Sequence, residues 1–159
     1  MDKLLQLLES NALLAPEKLG KMLGVSPEEV RRRIDAYEKS GVIRGYKAVI
    51  NDDQLDLQRV KAVIEVRITP EREGGFDRAA ERIAKFDEVT SCFLMSGGYD
   101  ILIFVEGRSL QEVASFVASK LATLDRVQST ATHFILKTYK EQGIHMAAAP
   151  REERMAVAP

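Results

Sequence analysis

Among 159 residues the sequence has one cysteine and two histidines, little of what metal and nucleophilic chemistry needs. Cys92 has no partner for an intramolecular disulfide and no ligand set beside it, which fits a reducing cytoplasm. His133 and His145 lie more than a helical turn apart, with no cysteine or carboxylate at ligand spacing, so no metal site is expected. His133 reads as a structural residue on a strand. Neither a nucleophile elbow nor a phosphate loop occurs, so no catalytic residue and no cofactor is expected. No apolar run reaches membrane-spanning length and the first residues are not signal-like, which predicts a soluble cytoplasmic protein without a membrane partner. The net charge of −1 gives no global basic signature, so any nucleic-acid footprint must be local.

What is present is enough for a core: 45% of the residues are hydrophobic, sufficient for two small domains or one of medium size. The most informative stretch is Gly24-Val25-Ser26-Pro27-Glu28-Glu29-Val30-Arg31-Arg32-Arg33-Ile34-Asp35-Ala36-Tyr37. Ser26 can accept from an orphan N–H, Pro27 suits a first helical position, and Glu29 completes a capping box. On the helix so begun, Val30, Ile34 and Tyr37 share one arc, while Glu28, Arg32, Asp35 and Lys39 point away from it. Upstream, Leu19, Met22 and Leu23 define a shorter helix ended near Gly24, and Leu4, Leu5 and Leu8 define a first one. Two helices joined by a short turn containing glycine make a helix-turn-helix. After Ser40-Gly41, residues 42–50 read as extended chain broken at Gly45, which would make the motif winged. Residues 1–50 hold nine Lys and Arg against seven Asp and Glu, a small but clustered basic excess.

The polar, acidic segment 51–59 reads as a linker. From Val60, Ala62, Ile64, Val66 and Ile68 alternate with Lys61, Glu65 and Arg67, the period of a half-buried strand broken only by Val63. A helix carrying Phe76, Ala79, Ala80 and Ile83 follows, then a strand over 89–95. Ser96-Gly97-Gly98 signals a two-residue hairpin leading into a third strand, 99–106. Ser109 and Glu112 open a second helix that buries Val113, Phe116, Val117 and Leu121, and a fourth strand runs from Val127 to about Tyr139. The order βαββαβ predicts an α+β chain whose second domain, residues 60–140, is a ferredoxin-like sandwich; 141–159 is expected to be a tail. Because the third strand is apolar at both alternating sets of positions, its helix-free face needs a cover, and a second subunit placed sheet against sheet supplies one.

The Leu23-Gly24-Val25-Ser26 turn, the segment Gly41-Val42-Ile43-Arg44-Gly45-Tyr46 and Met95-Ser96-Gly97-Gly98-Tyr99-Asp100, in this order, resemble the Lrp/AsnC, or feast/famine, transcription regulators over residues 2 to 140. The resemblance implies a winged helix-turn-helix followed by an ACT-like domain of the RAM kind (regulation of amino acid metabolism). It also implies homodimers that associate further, often into octamers, and a small effector, commonly an amino acid, near the hairpin loop between subunits. Glu28 and Glu29 depart from the small polar residues or proline that family members often carry just inside the recognition helix.

On this reading Arg31 and Arg32 meet base edges or phosphates of double-stranded DNA. Ser26 with the helix N-terminus holds a phosphate, Lys47 adds a backbone contact, and Glu28 can accept from cytosine N4. For Arg33, nearer the core, an ion pair within the protein is at least as well motivated. Gly97 and Gly98 expose N–H groups to a carboxylate beside Ser96, Asp100 can receive an α-ammonium, and Tyr99 supplies a wall with a hydroxyl. That set suits an amino-acid zwitterion, although paired glycines also serve as a bare turn. Thr130 and Thr132 are further pocket candidates on one side of the last strand. Two other readings remain open: an enzyme similar to the sirohaem-type tetrapyrrole decarboxylases, which resemble this family in both domains, and an amino-acid-sensing module without DNA contact.

Overall fold

The computed structural model describes residues 1–55, 59–70 and 75–146. The chain divides into two compact units, Met1–Val49 and the residues from Ile50 onward.

The first unit is built from α1 (Lys3–Ser10), α2 (Pro16–Leu23) and α3 (Pro27–Lys39). Each start has a local cause. Asp2 accepts from the Leu4 N–H at 2.7 Å and Ser26 from the Glu29 N–H at 3.2 Å, whereas Ala15 caps α2 with no side-chain bond and leaves that end to Pro16. Gly24 ends α2 at a φ of 71°, a left-handed conformation that a side chain would strain. Leu4, Leu8, Leu19 and Val30 form the buried centre, with Leu7, Leu14, Leu23, Ile34, Tyr37 and Ile43 packed around it.

Two expectations fail here. Residues 44–50 form no strand, so the wing is absent from the single chain: an extended segment becomes a strand only with a ladder partner, and this unit offers none. The capping box is half made, because the Glu29 carboxylate lies on Arg32, with both hydrogen bonds at 2.8 Å.

The second unit contains β1 (Val60–Ile68), α4 (Asp77–Ile83), β2 (Val89–Leu94), β3 (Ile101–Gly107), α5 (Leu110–Phe116, continued by a π-helical turn over Val117–Leu121) and β4 (Val127–Phe134). The sheet order is β2-β3-β1-β4, antiparallel throughout, which is the βαββαβ sandwich that the pattern predicts. One face carries Ala62, Ile64, Val66 and Ile68 of β1 with Ile101, Ile103 and Val105 of β3, and these are buried with Ile83, Val113, Phe116 and Leu121. The period-2 rule sends Val63, Glu65, Leu102 and Phe104 to the opposite face. There the rings of Phe93 and Phe104 meet edge to face at 6.2 Å.

The hairpin between β2 and β3 is longer than its glycines suggested. Leu94 pairs with Ile101, and the Met95 N–H donates to the Asp100 carbonyl at 2.8 Å, leaving residues 96–99 as a four-residue loop. The fourth strand stops at Phe134 rather than near Tyr139. A small hairpin follows, β5 (Lys140–Glu141) with β6 (Ile144–His145), turning through Gln142 and Gly143, both at positive φ. Met146 is buried after it, and its carbonyl accepts from the Asn51 side-chain amide at 2.6 Å. The expected tail therefore begins as ordered chain, and its remainder, 147–159, lies outside the described residues. Of the expected linker, Asp52–Gln54 form a 3-10 turn and Asp52 bonds Lys61 at 2.7 Å, while 56–58 lie outside the described residues.

Candidate functional site

Helix α3 presents the candidate nucleic-acid interface. Its buried Val30 and half-buried Ile34 and Tyr37 fix the underside, which leaves Arg31 and Arg32 outside with side chains 51% and 74% exposed. Neither guanidinium is bare. Arg31 bonds Glu17 of α2 at 2.5 Å and lies 3.8 Å from Glu28; Arg32 chelates Glu29 one turn back. The Arg32 hydrogen bonds hold the Glu29 carboxyl below the usual carboxylate range. Glu28 is also lowered, first by its own backbone N–H and then by the Ser26 hydroxyl. Ser26 is committed as the N-cap, and Lys47 is exposed on the unpaired segment after α3.

Arg33 behaves differently. It pairs with Asp2, which also accepts from the Tyr37 hydroxyl at 2.9 Å. Asp2 thereby caps α1 and ties it to α3, and its carboxyl is held low chiefly by the Leu4 N–H and then by Tyr37. This residue escaped the sequence reading. The only signal was an aspartate immediately before an amphipathic run.

In the second unit the candidate effector residues gather at one end of the sheet. Ser96, Gly97 and Gly98 are exposed at the loop tip, with Gly97 at a φ of 143°, and Tyr99 and Asp100 are half-buried. The Asp100 N–H donates to the Val66 carbonyl at 3.1 Å and its carboxylate accepts from the Ile68 N–H at 2.8 Å, so Asp100 closes the end of β1. Thr130 pairs with Val66 on the other side of β1, and Thr132 with Ile64, both on the helix-covered face. The structure thus brings Thr130 to the same end of the sheet as the loop and sets Thr132 two residues deeper. At that end lies also a groove of about 640 Å³ lined by Arg78, Ala79, Arg82, Leu124, Asp125 and Arg126. The Arg126 carbonyl accepts from the Thr69 N–H just past β1, and Arg126 itself has a positive φ. Nothing in the sequence signals these arginines, which converge only when α4 comes beside the turn that precedes β4.

His133 lies on the open face of β4, 3.5 Å from Glu65, and His145 in β6; among the described residues no cluster of His, Cys, Asp or Glu could hold a metal. Cys92 is half-buried, its thiol pushed up by that burial, 3.8 Å from the Ala80 carbonyl. No helix among the described residues is long and apolar enough to cross a membrane.

Residues 2–38 match the model of the AsnC-type helix-turn-helix domain and residues 61–144 that of the Lrp/AsnC ligand binding domain. The chain belongs to the Lrp/AsnC family of transcriptional regulators. It is 44% identical over 158 residues to the uncharacterised HTH-type transcriptional regulator YugG of Bacillus subtilis, covering 99% of this chain and 95% of that protein. Among solved structures it is similar to a Neisseria meningitidis transcriptional regulator in complex with L-Met, at 28% identity and TM-score 0.69, covering 89% of this chain and 93% of that one. It is likewise similar to Escherichia coli AsnC, at 29% identity and TM-score 0.67, covering 91% and 97%. The family is therefore one of transcriptional regulators, with the helix-turn-helix in the first unit and the ligand-binding sandwich in the second.

Proposed function

We propose that this Lrp/AsnC regulator reads double-stranded DNA with the first turns of α3 and responds to an amino acid at the Ser96–Asp100 end of the sheet. The observation that carries the DNA assignment is the exposure of Arg31 and Arg32 on a helix whose apolar underside fixes their direction. In this reading Arg31 and Arg32 pair with guanine edges or phosphate, Glu28 accepts from cytosine, and Ser26 and Lys47 hold the backbone. One helix offers few contacts, so useful affinity requires a homodimer on a two-fold site. The uncovered face with Val63, Phe93, Leu102 and Phe104 favours pairing sheet against sheet, and further association, as in an octamer, builds on such dimers.

The effector assignment is supported by the L-Met complex of the Neisseria relative. The loop's glycine N–H groups suit a carboxylate, Asp100 an ammonium, Tyr99 and Ser96 a polar wall, and Thr130 and Thr132 the adjoining strand. The Ile68 N–H takes one carboxylate oxygen of Asp100, which leaves the other to accept from an ammonium. The DNA assignment is tested by titrating a duplex selected from a random-sequence pool against wild type and the double variant Arg31→Ala, Arg32→Ala. A loss of at least tenfold is expected, since a good bidentate contact is worth about 1–3 kcal/mol; equal affinity would remove both arginines from recognition. Calorimetry with a panel of amino acids, repeated on Asp100→Ala, tests the effector site, and equal binding of the same ligand by both proteins would clear Asp100 of any role.

A further inference from the structure

The exposed end of α3 is not the cationic surface that its three consecutive arginines suggest. Glu17, Glu28 and Glu29 stand beside Arg31 and Arg32, so the patch formed by these five side chains carries one more negative than positive charge. Two of the contacts are good charge-assisted hydrogen bonds: Arg31 to Glu17 at 2.5 Å, and Arg32 to both Glu29 oxygens at 2.8 Å. Glu17 comes from α2, so the first of these bonds also spans the turn between the two helices. All five groups are exposed or nearly so, so the pairs are exchangeable rather than locked.

We infer that Glu17 and Glu29 are intramolecular counter-ions that DNA must displace, and that they set specificity by suppressing attachment to arbitrary duplex. This rests on the DNA reading of α3 and assigns a role to carboxylates that touch the arginines from within the protein. Backbone phosphate offers each guanidinium only what its carboxylate already gives, so exchange on random sequence gains little and leaves a glutamate facing phosphates. A site that supplies bidentate guanine edges to the arginines, and cytosine amino groups to the freed carboxylates, satisfies both partners at once. The glutamates thus act mainly on the wrong partners, the usual way in which a difference of affinities is built.

The test compares wild type with Glu17→Gln and with Glu29→Gln, each as the full chain. Binding is measured to a duplex selected by wild type and to random-sequence duplex of equal length, over a series of salt concentrations. Glu29→Gln removes the charge from a contact within one helix and leaves the α2–α3 link intact, so it controls for any loosening of the motif in Glu17→Gln. Each substitution is expected to tighten binding to random duplex at least fivefold and to lower the ratio of selected to random affinity. The slope of log K against log salt should steepen by about one for each arginine freed to phosphate. If wild type selects and binds a sequence, and both variants match it on random duplex in affinity and slope, the counter-ion role is overturned while the DNA reading stands. Tight random binding by the variants alone supports the inference. If neither wild type nor variants bind duplex at any salt, both the DNA reading and this inference fall.

Discussion

The two units bury apolar surface on different scales. Among the described residues four side chains form the centre of the helical unit, against eleven in the sheet unit. The small core is compensated by local devices: two side-chain caps, a proline start on two helices, a left-handed glycine, and an ion pair from Asp2 to Arg33 that ties the chain's second residue to α3. The larger core carries such devices as well, among them the Ser109 cap on α5 and the Lys120–Glu88 ion pair. Its sheet is held by three long ladders, and on one face it still presents apolar side chains without a cover in the single chain. The small core with capped ends leaves one side of α3 open to another molecule, while the sheet, covered on one face, leaves its other face open.

This contrast can be broken most severely in the sheet. Ile103 lies fully buried on β3, a strand paired on both sides, and Ile103→Ala is expected to cost about 2–5 kcal/mol. Urea unfolding should show the transition of the sheet unit moving while that of the helical unit stays, if the two melt separately. A loss below about 1 kcal/mol would mean that this core repacks freely, removing the distinction between the units.

The next test has opposite signs from two arguments. Helix propensity alone predicts that Gly20→Ala stabilises α2 by about 1 kcal/mol. In the fold a Cβ at Gly20 would stand 2.7 Å from the Val25 carbonyl oxygen, part of the rigid turn, so destabilisation by about 1–3 kcal/mol is expected instead. Thermal melting monitored by circular dichroism decides the sign, and a raised melting temperature would refute the close approach of α2 to the turn.

Ser26→Ala should remove the α3 cap and cost about 1 kcal/mol, confined to the helical unit. An equal shift of both transitions would show that the units unfold as one.

The smallest expected effect is on pH. Asp2 has its carboxyl lowered from the ordinary 3.8 by the Leu4 N–H, then by Tyr37 and Arg33. A lowered folded-state value means that the stabilisation is fully present above about pH 4 and is lost as pH falls through the lowered value. Acid titration between pH 5 and 2, followed by tyrosine fluorescence, should show helical-unit stability falling in that window for wild type and less so for Asp2→Asn. Identical acid profiles would leave the Asp2 contacts without weight.

Legibility followed the range of the interactions. The start of α3 was readable because Ser26, Pro27 and the Glu29 N–H are within four positions of one another, and its buried face because 3.6-residue periodicity is written into Val30, Ile34 and Tyr37. The element order βαββαβ is enough to predict the four-stranded sandwich, and the double-sided apolarity of β3 points to its uncovered face. The expected wing over 42–50 forms no strand because an extended pattern does not carry its own ladder partner. The C-terminal hairpin is not legible in the sequence, since its two-residue strands show no period and the bond that holds the Met146 carbonyl comes from Asn51, 95 positions away.

The candidate sites divide the same way. That α3 carries arginines outward is a consequence of spacing. That Arg31 is matched by Glu17, 14 positions earlier, and Arg33 by Asp2, 31 positions earlier, is a consequence of packing. The same holds for Asp100, whose carboxylate proved to close the end of β1, and for the arginines of the 640 Å³ groove.

By itself the sequence determined the identity and order of the elements and the side of each that is buried, because caps, turns and periodicity act between neighbours along the chain. Only the tertiary structure decided which charges distant in sequence answer each other and where the extended segments end. Coulombic and hydrogen-bond partners are chosen by distance in space, and folding sets that distance independently of separation in sequence.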